Sequence, residues 1–385
     1  MNIIKEIASE FPHNYVVHLN HAGIGPWPMR TVRAIYDFAK ENACYGAMRS
    51  PNWSKRASEL RGVIAELINA ENKDEIALLK NTSEALSTIA YGIDWVNTDN
   101  IVVGMQEFPS NRIVWESLHH TKSVEIRVID LYAVDTPERA LIEATDKHTK
   151  LIAVSSIQYA TGYRMDLDTL GQYCHNHNIL FCVDAIQSLG AAPLDVQSSC
   201  IDFLAADAHK WLLAPEGIAL FYCRNSHISK LKLNQYGWQS LEDCNNYDAL
   251  YNEADKMKWQ LKADAGRFEC GSLNHLGIYA LHASLSLLNE VGMQEVYKRV
   301  SQNATYIANN LDKNRFALLT PNNENQRGGI ISCIALNSDN KDLFDYMIAQ
   351  NIFCAYRGGG IRLSPHFYNT IKDLDSALEL LHKYS

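Results

Sequence analysis

A short apolar run leads directly into a histidine, a lysine and a tryptophan in Phe203-Leu204-Ala205-Ala206-Asp207-Ala208-His209-Lys210-Trp211. The run has the length of a buried strand, so Lys210 is predicted to lie where that strand ends. Lysine is seldom buried unless it is paired or chemically used. A desolvated lysine has a lowered pKa, and its neutral amine forms imines with carbonyl groups. Taken alone, Lys210 also suits a surface position at a strand end, so its neighbours decide the interpretation.

The composition is that of a soluble globular protein large enough for two lobes. The chain has 385 residues, of which 47% are hydrophobic and 21% charged, and such a length favours more than one lobe. The formal charge of −9 argues against a nucleic-acid-binding protein, because such proteins neutralise phosphates with lysine and arginine. No apolar run approaches the roughly 20 residues of a membrane span.

Several observations predict a cytoplasmic protein without a metal. The start, Met1–Glu6, resembles neither a signal peptide nor a transit peptide. The nine cysteines form no CxxC pair, which is typical of reduced thiols in a cytosol. Cys174, His175 and His177 are close in sequence, but no second pair stands at ligand spacing, so we predict no metal site.

Strands and helices alternate along most of the chain, which predicts a mostly parallel, doubly wound sheet. The predicted strands are nearly continuous apolar runs, as expected for a sheet covered on both faces. Helices are predicted at Met29–Asn42, Ser54–Ala70, Asp168–His177 and in the segment that ends at His119. The predicted strands are Glu75–Leu79, Asn100–Val103, Val124–Ile129, Lys150–Ser155, Ile179–Val183, Ile201–Ala206 and Gly217–Cys223.

After about residue 225 the alternation stops, and a smaller α/β lobe is predicted toward the end of the chain. The segment Leu231–Ala265 is polar and has no clear period. We predict an N-terminal segment over residues 1–25 that packs on the small domain, a large domain over 26–265 and a small domain over 266–385. The elements expected from Leu276 onward are helices at Leu276–Val291, Asp342–Ala349 and Lys372–Lys383, and strands at Gly329–Leu336 and Asn351–Ala355.

Polar residues follow the carboxyl ends of several predicted strands, at the rim where open α/β sheets bind ligands. Asp184 ends one strand, Gln187 follows it, and Lys210 ends the next strand. Thr82-Ser83 lies at a predicted helix N-terminus, where free N–H groups favour a phosphate. Phe108 lies in a turn after another strand. A carboxylate, an amine, a phosphate site and a flat ring are what a phosphorylated pyridine aldehyde requires.

The chain resembles the class V aminotransferase superfamily of pyridoxal 5'-phosphate (PLP) enzymes, which includes cysteine desulfurases and isopenicillin N epimerase-like proteins. The resemblance implies PLP as cofactor and fold type I, with a mostly parallel seven-stranded sheet in a large domain and a smaller C-terminal α/β domain. It rests on Leu19-Asn20-His21-Ala22-Gly23, Asn81-Thr82-Ser83-Glu84-Ala85, Glu107-Phe108-Pro109-Ser110-Asn111, Gln158-Tyr159-Ala160-Thr161-Gly162, Val183-Asp184-Ala185-Ile186-Gln187-Ser188, His209-Lys210-Trp211, Arg267-Phe268-Glu269-Cys270-Gly271-Ser272 and Ile361-Arg362-Leu363-Ser364-Pro365-His366.

The resemblance also implies residue roles. Lys210 holds the cofactor as an internal aldimine and then moves the substrate Cα proton, and Arg362 clamps the α-carboxylate. Asn20 and Tyr159 are expected at the substrate. Ser272 is expected to reach the phosphate of a neighbouring subunit, which implies a homodimer with shared active sites. The remaining cofactor contacts implied are Asp184 with the pyridine nitrogen, Gln187 with the ring hydroxyl, Phe108 stacked on the ring, and Thr82, Ser83 and His209 with the phosphate.

Simpler interpretations stay open for three of these positions. Phe108 also suits a core position before Pro109. Thr82-Ser83 also suits an ordinary helix cap, and Arg362 a structural ion pair. His21 and His366 suit buried, hydrogen-bonded positions better than catalytic ones.

The chain departs from the desulfurase pattern at three places. Asp207 stands where desulfurases often have Ser or Thr near the phosphate, and Tyr159 where they tend to have Asn. Desulfurases also place a nucleophilic Cys a few residues after an Arg-x-Gly pattern, whereas Arg357-Gly358-Gly359-Gly360 runs straight into Ile361. Cys354 precedes that pattern and is predicted to lie in the core. A persulfide-forming desulfurase is therefore not favoured.

The sequence predicts a PLP enzyme that binds a small amino acid and labilises a bond at Cα, and the first expectation is an aminotransferase-like activity. A C–S or other β-eliminating lyase and an epimerase remain alternatives, because the same residues serve all three reactions. A non-catalytic PLP-binding scaffold is a further alternative, although it would have no need of Asp184, Lys210 and Arg362 together.

Overall fold

The computed structural model describes residues 7, 9–12, 15–244 and 259–384. The expectation for Met1–Glu6, and the parts of the predicted segments 1–25 and 231–265 that fall on the other residues, lie outside this description. None of the described helices is long and apolar enough to cross a bilayer.

The large sheet contains seven of the described strands, in the order β2-β8-β7-β6-β5-β3-β4. Only β8 runs antiparallel to its neighbours, β2 and β7. The mostly parallel seven-stranded sheet that was predicted is therefore confirmed. Its strands are β2 Ile76–Leu79, β3 Asn100–Gly104, β4 Glu125–Ile129, β5 Thr149–Ser155, β6 Leu180–Asp184, β7 Phe203–Asp207 and β8 Ala219–Cys223.

Helices cover both faces of this sheet. Two apolar clusters lie on its opposite faces, one containing Val183 and Leu204 and the other Cys182 and Ala205. Successive strand residues point to opposite faces, so both faces bury apolar side chains. The helices before the small lobe are α1 Met29–Tyr45, α2 Ser50–Leu67, α3 Thr82–Gly92, α4 Ser110–Lys122, α5 Pro137–Glu143, α6 Leu167–His177 and α7 Asn225–Ile228, with short 3₁₀ turns at Gly46–Arg49, Lys73–Glu75, Trp238–Ser240 and Ala265–Phe268.

A second, smaller sheet has the order β12-β13-β10-β9, and its apolar core includes Ile331, Leu343 and Leu378. A separate parallel pair joins β1 near the N-terminus to β11. The elements of this region are β1 Val17–His18, α8 His275–Val291, α9 Met293–Asn310, β9 Phe316–Leu318, a 3₁₀ turn at Glu324–Gln326, β10 Ile331–Ala335, α10 Asn340–Ala349, β11 Ile352–Phe353, β12 Ala355–Arg357, β13 Gly360–Leu363 and α11 Ile371–Tyr384.

Helix α8 joins the two regions. Its residues Ile278 and Leu281 belong to the same apolar cluster as Leu60 of α2, on the large-sheet side. The predicted domain limits at residues 25/26 and 265/266 stay predictions. The packing of α8 suggests that the small lobe begins after it.

Candidate active site

A cavity of about 480 Å³ lies at the carboxyl ends of β6 and β7, between the large sheet and the small one. It is the rim at which open α/β sheets bind ligands. The structure brings together here every predicted site residue except Ser272. These are Asn20, Thr82, Ser83, Phe108, Tyr159, Asp184, Gln187, His209, Lys210 and Arg362.

Asp184 and Lys210 are brought together by two neighbouring parallel strands, β6 and β7. Asp184 is the last residue of β6, and Lys210 follows the end of β7 by three residues. Their exposed fractions are only 8% and 2%, respectively. Burial raises the pKa of Asp184 to about 7, against a main-chain hydrogen bond from Ile186 that lowers it. Burial lowers the pKa of Lys210 to about 8, which makes its amine more available as a nucleophile or base near neutral pH.

The side chain of Gln187 is fixed at both of its polar atoms. Its Oε1 accepts a hydrogen bond from Trp211 Nε1 at 2.8 Å, and its Nε2 donates to the carbonyl oxygen of Ala22 at 3.0 Å. Because Nε2 carries two hydrogens, one remains for a ligand in the cavity. Gln187 therefore links the N-terminal segment to the loop that follows β7 and contains Lys210 (residues 208–218, the lysine loop).

The N-terminus of α3 forms one wall of the cavity. Asn81 caps the helix by accepting from the N–H of Glu84, so Thr82 is the first helical residue. Thr82 Oγ1 accepts from the main-chain N–H of Asp207 at 3.0 Å, which leaves its own proton available. Ser83 donates to Ser110 Oγ at 2.8 Å. Free N–H groups, hydroxyls and the helix dipole make this end of α3 suitable for a phosphate.

Phe108 is 40% exposed, so the alternative of a core position does not describe it. Its ring lies edge-to-face with Tyr159, at 5.3 Å between centroids. Lys210 Nζ lies 5.5 Å from the centroid of the Phe108 ring. The exposed ring therefore faces the space next to the amine, where a flat ligand could stack.

Arg362 extends from β13 of the small sheet into the cavity. Its Nη1 donates to the carbonyl oxygen of Tyr159 at 2.7 Å, and its Nη2 lies 3.3 Å from Asn20 Oδ1. Its Nε is buried and has no hydrogen-bond partner among the described residues. A guanidinium with an unpaired edge is suited to a carboxylate ligand, and among the described residues no Asp or Glu pairs with Arg362.

The N-terminal segment lies against the lysine loop at one wall of the cavity. The N–H of Gly25 donates to the carbonyl oxygen of His209 at 2.8 Å. A Cβ at Gly25 would lie 2.3 Å from the carbonyl oxygen of Lys210. Only glycine allows this approach without displacing the lysine loop.

Several lining residues were not in the predicted site. Asp207 was noted in the sequence only as a departure from the desulfurase pattern, and Arg357 only as part of a glycine-rich segment. Both line the cavity, together with Phe353 and Ile24. Asp207 and Arg357 could have been predicted because they stand beside recognised motifs in the sequence. Nothing in the chemistry of Phe353 and Ile24 marks them as site residues.

Ser272 lies outside the cavity and is exposed. Its predicted contact with a phosphate requires a second copy of the chain, which a single chain does not show. The prediction for Ser272 therefore stays a prediction.

The glycine-rich segment forms a tight hairpin rather than a long loop. Arg357 of β12 pairs with Gly360 of β13, and Gly358 and Gly359 between them have φ of 60° and 82°. Two consecutive left-handed residues are the pattern of a two-residue hairpin turn. Cys354 is buried just before β12, and burial raises the pKa of its thiol to about 12. None of the residues lining the described cavity is a cysteine.

These residues fit PLP. Asp184 could face the ring nitrogen, the spare hydrogen of Gln187 the ring hydroxyl, and Phe108 the ring face. The end of α3 could hold the phosphate, and Lys210 Nζ could hold the aldehyde carbon covalently. Arg362 lines the same cavity and could bind the carboxylate of an amino acid through its unpaired edge.

Comparison with known proteins agrees with the fold and the cofactor. A probable cysteine desulfurase of Methanothermobacter thermautotrophicus is 28% identical, covering 95% of this chain and 94% of that protein. The uncharacterized aminotransferase YcbU of Bacillus subtilis is 27% identical, covering 90% and 88%.

Two solved structures share the fold. The apo cysteine desulfurase of Thermococcus onnurineus NA1 superposes with a TM-score of 0.88 at 23% identity, covering 100% of this chain and 98% of that one. A C-DES mutant with glycine covalently linked to its PLP cofactor also gives 0.88, at 20% identity, covering 98% and 99%. The family described as "Aminotransferase class-V" matches residues 19–376. The chain therefore belongs to the class-V aminotransferase family and is a PLP-dependent enzyme.

Proposed function

We propose that the protein is a PLP-dependent lyase that removes a sulfur substituent from Cβ of a small amino acid by elimination. The observation that carries this proposal is the composition of the cavity. It combines a buried lysine amine with a partly unpaired guanidinium, and none of its lining residues is a cysteine that could accept sulfur. The aminotransferase-like activity first expected from the sequence becomes the second candidate.

Different residues of the cavity would have different roles in such a reaction. Arg362 would hold the α-carboxylate through Nε and Nη2, in a planar geometry that lysine cannot reproduce. PLP, when bound, withdraws electrons from the attached amino acid and so acidifies its Cα proton. Lys210 Nζ, whose pKa is about 8, would take that proton. Phe108 and Tyr159 would exclude water from one side of the ligand.

The fate of the sulfur separates this proposal from a desulfurase. The relatives named cysteine desulfurase suggest chemistry at a C–S bond. Without a cysteine in the cavity, the sulfur would leave with the electrons of the C–S bond and take a proton. For cysteine the balance is cysteine plus water giving pyruvate, ammonia and hydrogen sulfide.

Amino transfer to a keto acid is favoured by one observation. Arg357 places a second guanidinium in the cavity, more exposed than Arg362. A second cation could hold the distal carboxylate of a dicarboxylic acceptor. The aminotransferase name of the relative from Bacillus subtilis agrees with this candidate.

We also propose a homodimer in the cytoplasm. Ile24 is an exposed apolar residue at the rim of the cavity, and Ser272 would reach the phosphate of the partner's site. Covering exposed apolar surface is a common role of an oligomer interface. All nine cysteines are unpaired, in agreement with a reducing compartment.

The decisive experiment is a product analysis with the purified holoenzyme. L-Cysteine, L-cystine, S-methyl-L-cysteine and L-alanine are supplied separately, with and without a keto acid. We expect pyruvate and ammonia in equal amounts from one or more of the sulfur amino acids, without any keto acid. Lys210→Ala is the matched control and should form none of these products.

Other product patterns would contradict the proposal. L-Alanine formed from L-cysteine together with bound persulfide would identify a desulfurase. Products that form only when a keto acid is present would identify an aminotransferase. A holoenzyme that binds PLP at Lys210 but turns over none of these compounds would favour a scaffold.

A further inference from the structure

Asp207 is an acidic residue in the wall of the proposed phosphate site. It is the last residue of β7, it is buried, and it lines the cavity. Its main-chain N–H donates to Thr82 Oγ1 at 3.0 Å, which fixes it beside the first turn of α3. A carboxylate next to a phosphate is unfavourable unless a proton or a cation lies between them.

The group next to the Asp207 carboxylate is the imidazole of His209. Asp207 Oδ1 lies 2.9 Å from His209 Nδ1. Both atoms are buried, and neither makes a well-aligned hydrogen bond to any described residue. The contact has the distance of an ion pair without the angles of a hydrogen bond. The nearest hydrogen that could face this buried carboxylate is one on Nδ1 of the imidazole, which a neutral imidazole can carry.

The other charged groups of the cavity are Asp184, Lys210, Arg357 and Arg362. From β6, Asp184 adds a second acidic group, whose pKa is raised by burial to about 7, and from the lysine loop Lys210 is the amine that would hold the cofactor. From the small sheet, Arg362 is bonded to Tyr159, and Arg357 is exposed at the opening.

The remaining elements at this wall add no free charge. On the side of α3, Lys80 and Glu84 pair with each other at 3.0 Å. Ser83 and Ser110 of α4 are bonded to each other and uncharged. The N-terminal segment lines the wall with Ala22, Gly23 and Ile24.

If the phosphate of the proposed site lies against Nε2, the two nitrogens of His209 face two different anions. A hydrogen on Nδ1 suits the Asp207 carboxylate. A neutral imidazole protonated at Nδ1 has only a lone pair at Nε2, and a lone pair repels a phosphate oxygen. Contact with both anions requires a hydrogen on each nitrogen.

We propose that Asp207 is a positioning residue that holds the proton on Nδ1 of His209, so that binding of the cofactor phosphate takes up one proton from solvent at Nε2. Cofactor retention is then linked to pH through this pair. The inference rests on the proposed placement of the phosphate at Thr82, Ser83 and His209. It does not depend on which reaction the enzyme catalyses.

The test measures binding rather than activity. Pyridoxine 5'-phosphate carries the phosphate but no aldehyde, so Lys210 cannot bond to it covalently. Calorimetric titration of the apoprotein at pH 8, in buffers of different ionisation enthalpy, counts the protons taken up. We expect the wild type to take up about one proton more than Asp207→Ser. With rising pH, the Kd of the wild type should therefore increase more than that of Asp207→Ser, by up to about tenfold per pH unit.

Two variants and one ligand serve as controls. Asp207→Asn keeps the shape of the side chain and removes its charge, so it should lose the extra proton even if Asp207→Ser folds poorly. His227→Gln removes the imidazole of another histidine–aspartate contact, His227 Nε2 to Asp202 Oδ1 at 2.9 Å, and should keep the extra proton. With pyridoxine, which lacks the phosphate, the wild type and the Asp207 variants should take up equal numbers of protons.

The results separate this inference from the proposed site. Equal proton uptake by the wild type and both Asp207 variants, with tight binding of pyridoxine 5'-phosphate, overturns the role of Asp207 alone. If Thr82→Val leaves the affinity for pyridoxine 5'-phosphate unchanged, the phosphate is not at α3, and the site and the inference both fail. A proton difference that persists with pyridoxine also overturns the inference, because the phosphate would not be its cause.

Discussion

Arg362 Nη1 donates to the main-chain carbonyl oxygen of Tyr159 at 2.7 Å, although Arg362 belongs to the small sheet and Tyr159 follows β5 of the large one. The contact fixes the guanidinium across the cleft between the two sheets. Because Tyr159 contributes its carbonyl group, the contact is independent of the side chain at that position. The orientation of the substrate carboxylate would therefore depend on the position of the small lobe relative to the large one.

Replacing Arg362 with lysine tests this arrangement. The Arg362→Lys variant would keep the charge but lose the fork that binds a carboxylate at two points. A charge-assisted hydrogen bond contributes about 1.5–3 kcal/mol, so we expect this variant to raise KM by about tenfold to a hundredfold. The bound cofactor should remain. Arg139→Lys, at an exposed position on α5, is the control, and an unchanged KM in Arg362→Lys would remove Arg362 from the carboxylate site.

The pKa of Lys210 predicts how the apoprotein takes up PLP. Burial, the largest cause, lowers this pKa from 10.5 to about 8. Since only the neutral amine attacks an aldehyde, the rate of covalent loading should rise with pH up to about 8 and then level off. This rate is measured from the growth of the visible absorbance band after PLP is added, in a series of buffers from about pH 6.5 to 9.5. A rate that keeps rising steeply toward pH 10 would indicate an ordinary exposed lysine, and Lys210→Ala should show no band that borohydride removes.

The sequence predicted the large sheet well because its strands are short apolar runs between recognisable turns. The strand predicted at Ile179–Val183 is observed at Leu180–Asp184, a shift of one position at each end. The helix Met293–Asn310 and the strand Phe316–Leu318 were not predicted. The strand is only three residues long and pairs with β10, so its identity depends on a distant partner rather than on its own pattern.

The positions of site residues were predicted where their chemistry made them recognisable in the sequence, and they were missed where they depend on a contact. The proximity of Asp207 and His209 depends on the turn that follows β7, which no periodic pattern describes. The exposure of Phe108 depends on the cavity beside it. Ser272 depends on a second chain.

Gly25→Ala tests whether the N-terminal segment supports the lysine loop. The new Cβ would lie 2.3 Å from the Lys210 carbonyl oxygen and 2.9 Å from Leu213 Cδ2. We expect a loss of about 1–3 kcal/mol in the free energy of unfolding, as for other overpacked positions, and faster loss of PLP during dialysis.

Gly62→Ala is the matched control for Gly25→Ala. Gly62 lies in α2, and a Cβ there would meet no atom within 4 Å. Alanine should stabilise this helix by about 1 kcal/mol. Denaturation curves and PLP retention of the two variants are compared directly. Equal PLP retention in both would show that the close approach of Gly25 does not matter for the site.

Cys354→Ala tests whether any sulfur passes through the protein. Cys354 is buried, and its thiol pKa is raised to about 12, so it is a poor nucleophile at neutral pH. We expect kcat for sulfide release to change by less than about twofold, since the thiol takes no part in the elimination. A fall of about a hundredfold, with loss of protein-bound persulfide, would show that Cys354 accepts sulfur and would contradict the proposed elimination.

The proposed homodimer with shared sites predicts complementation between two inactive variants. Lys210→Ala removes the amine from its own cavity, and Ser272→Asp should place a negative charge at the partner's phosphate. In a mixed dimer, one of the two cavities would receive both an intact Lys210 and an intact Ser272. Random exchange of equal amounts should therefore restore about a quarter of the wild-type sites, as symmetry of a two-fold dimer requires. PLP content and lyase activity of the refolded mixture measure this, and each variant refolded alone is the control. A mixture no more active than the separate variants, or an active wild type that sediments as a single chain, would exclude Ser272 from the partner's site.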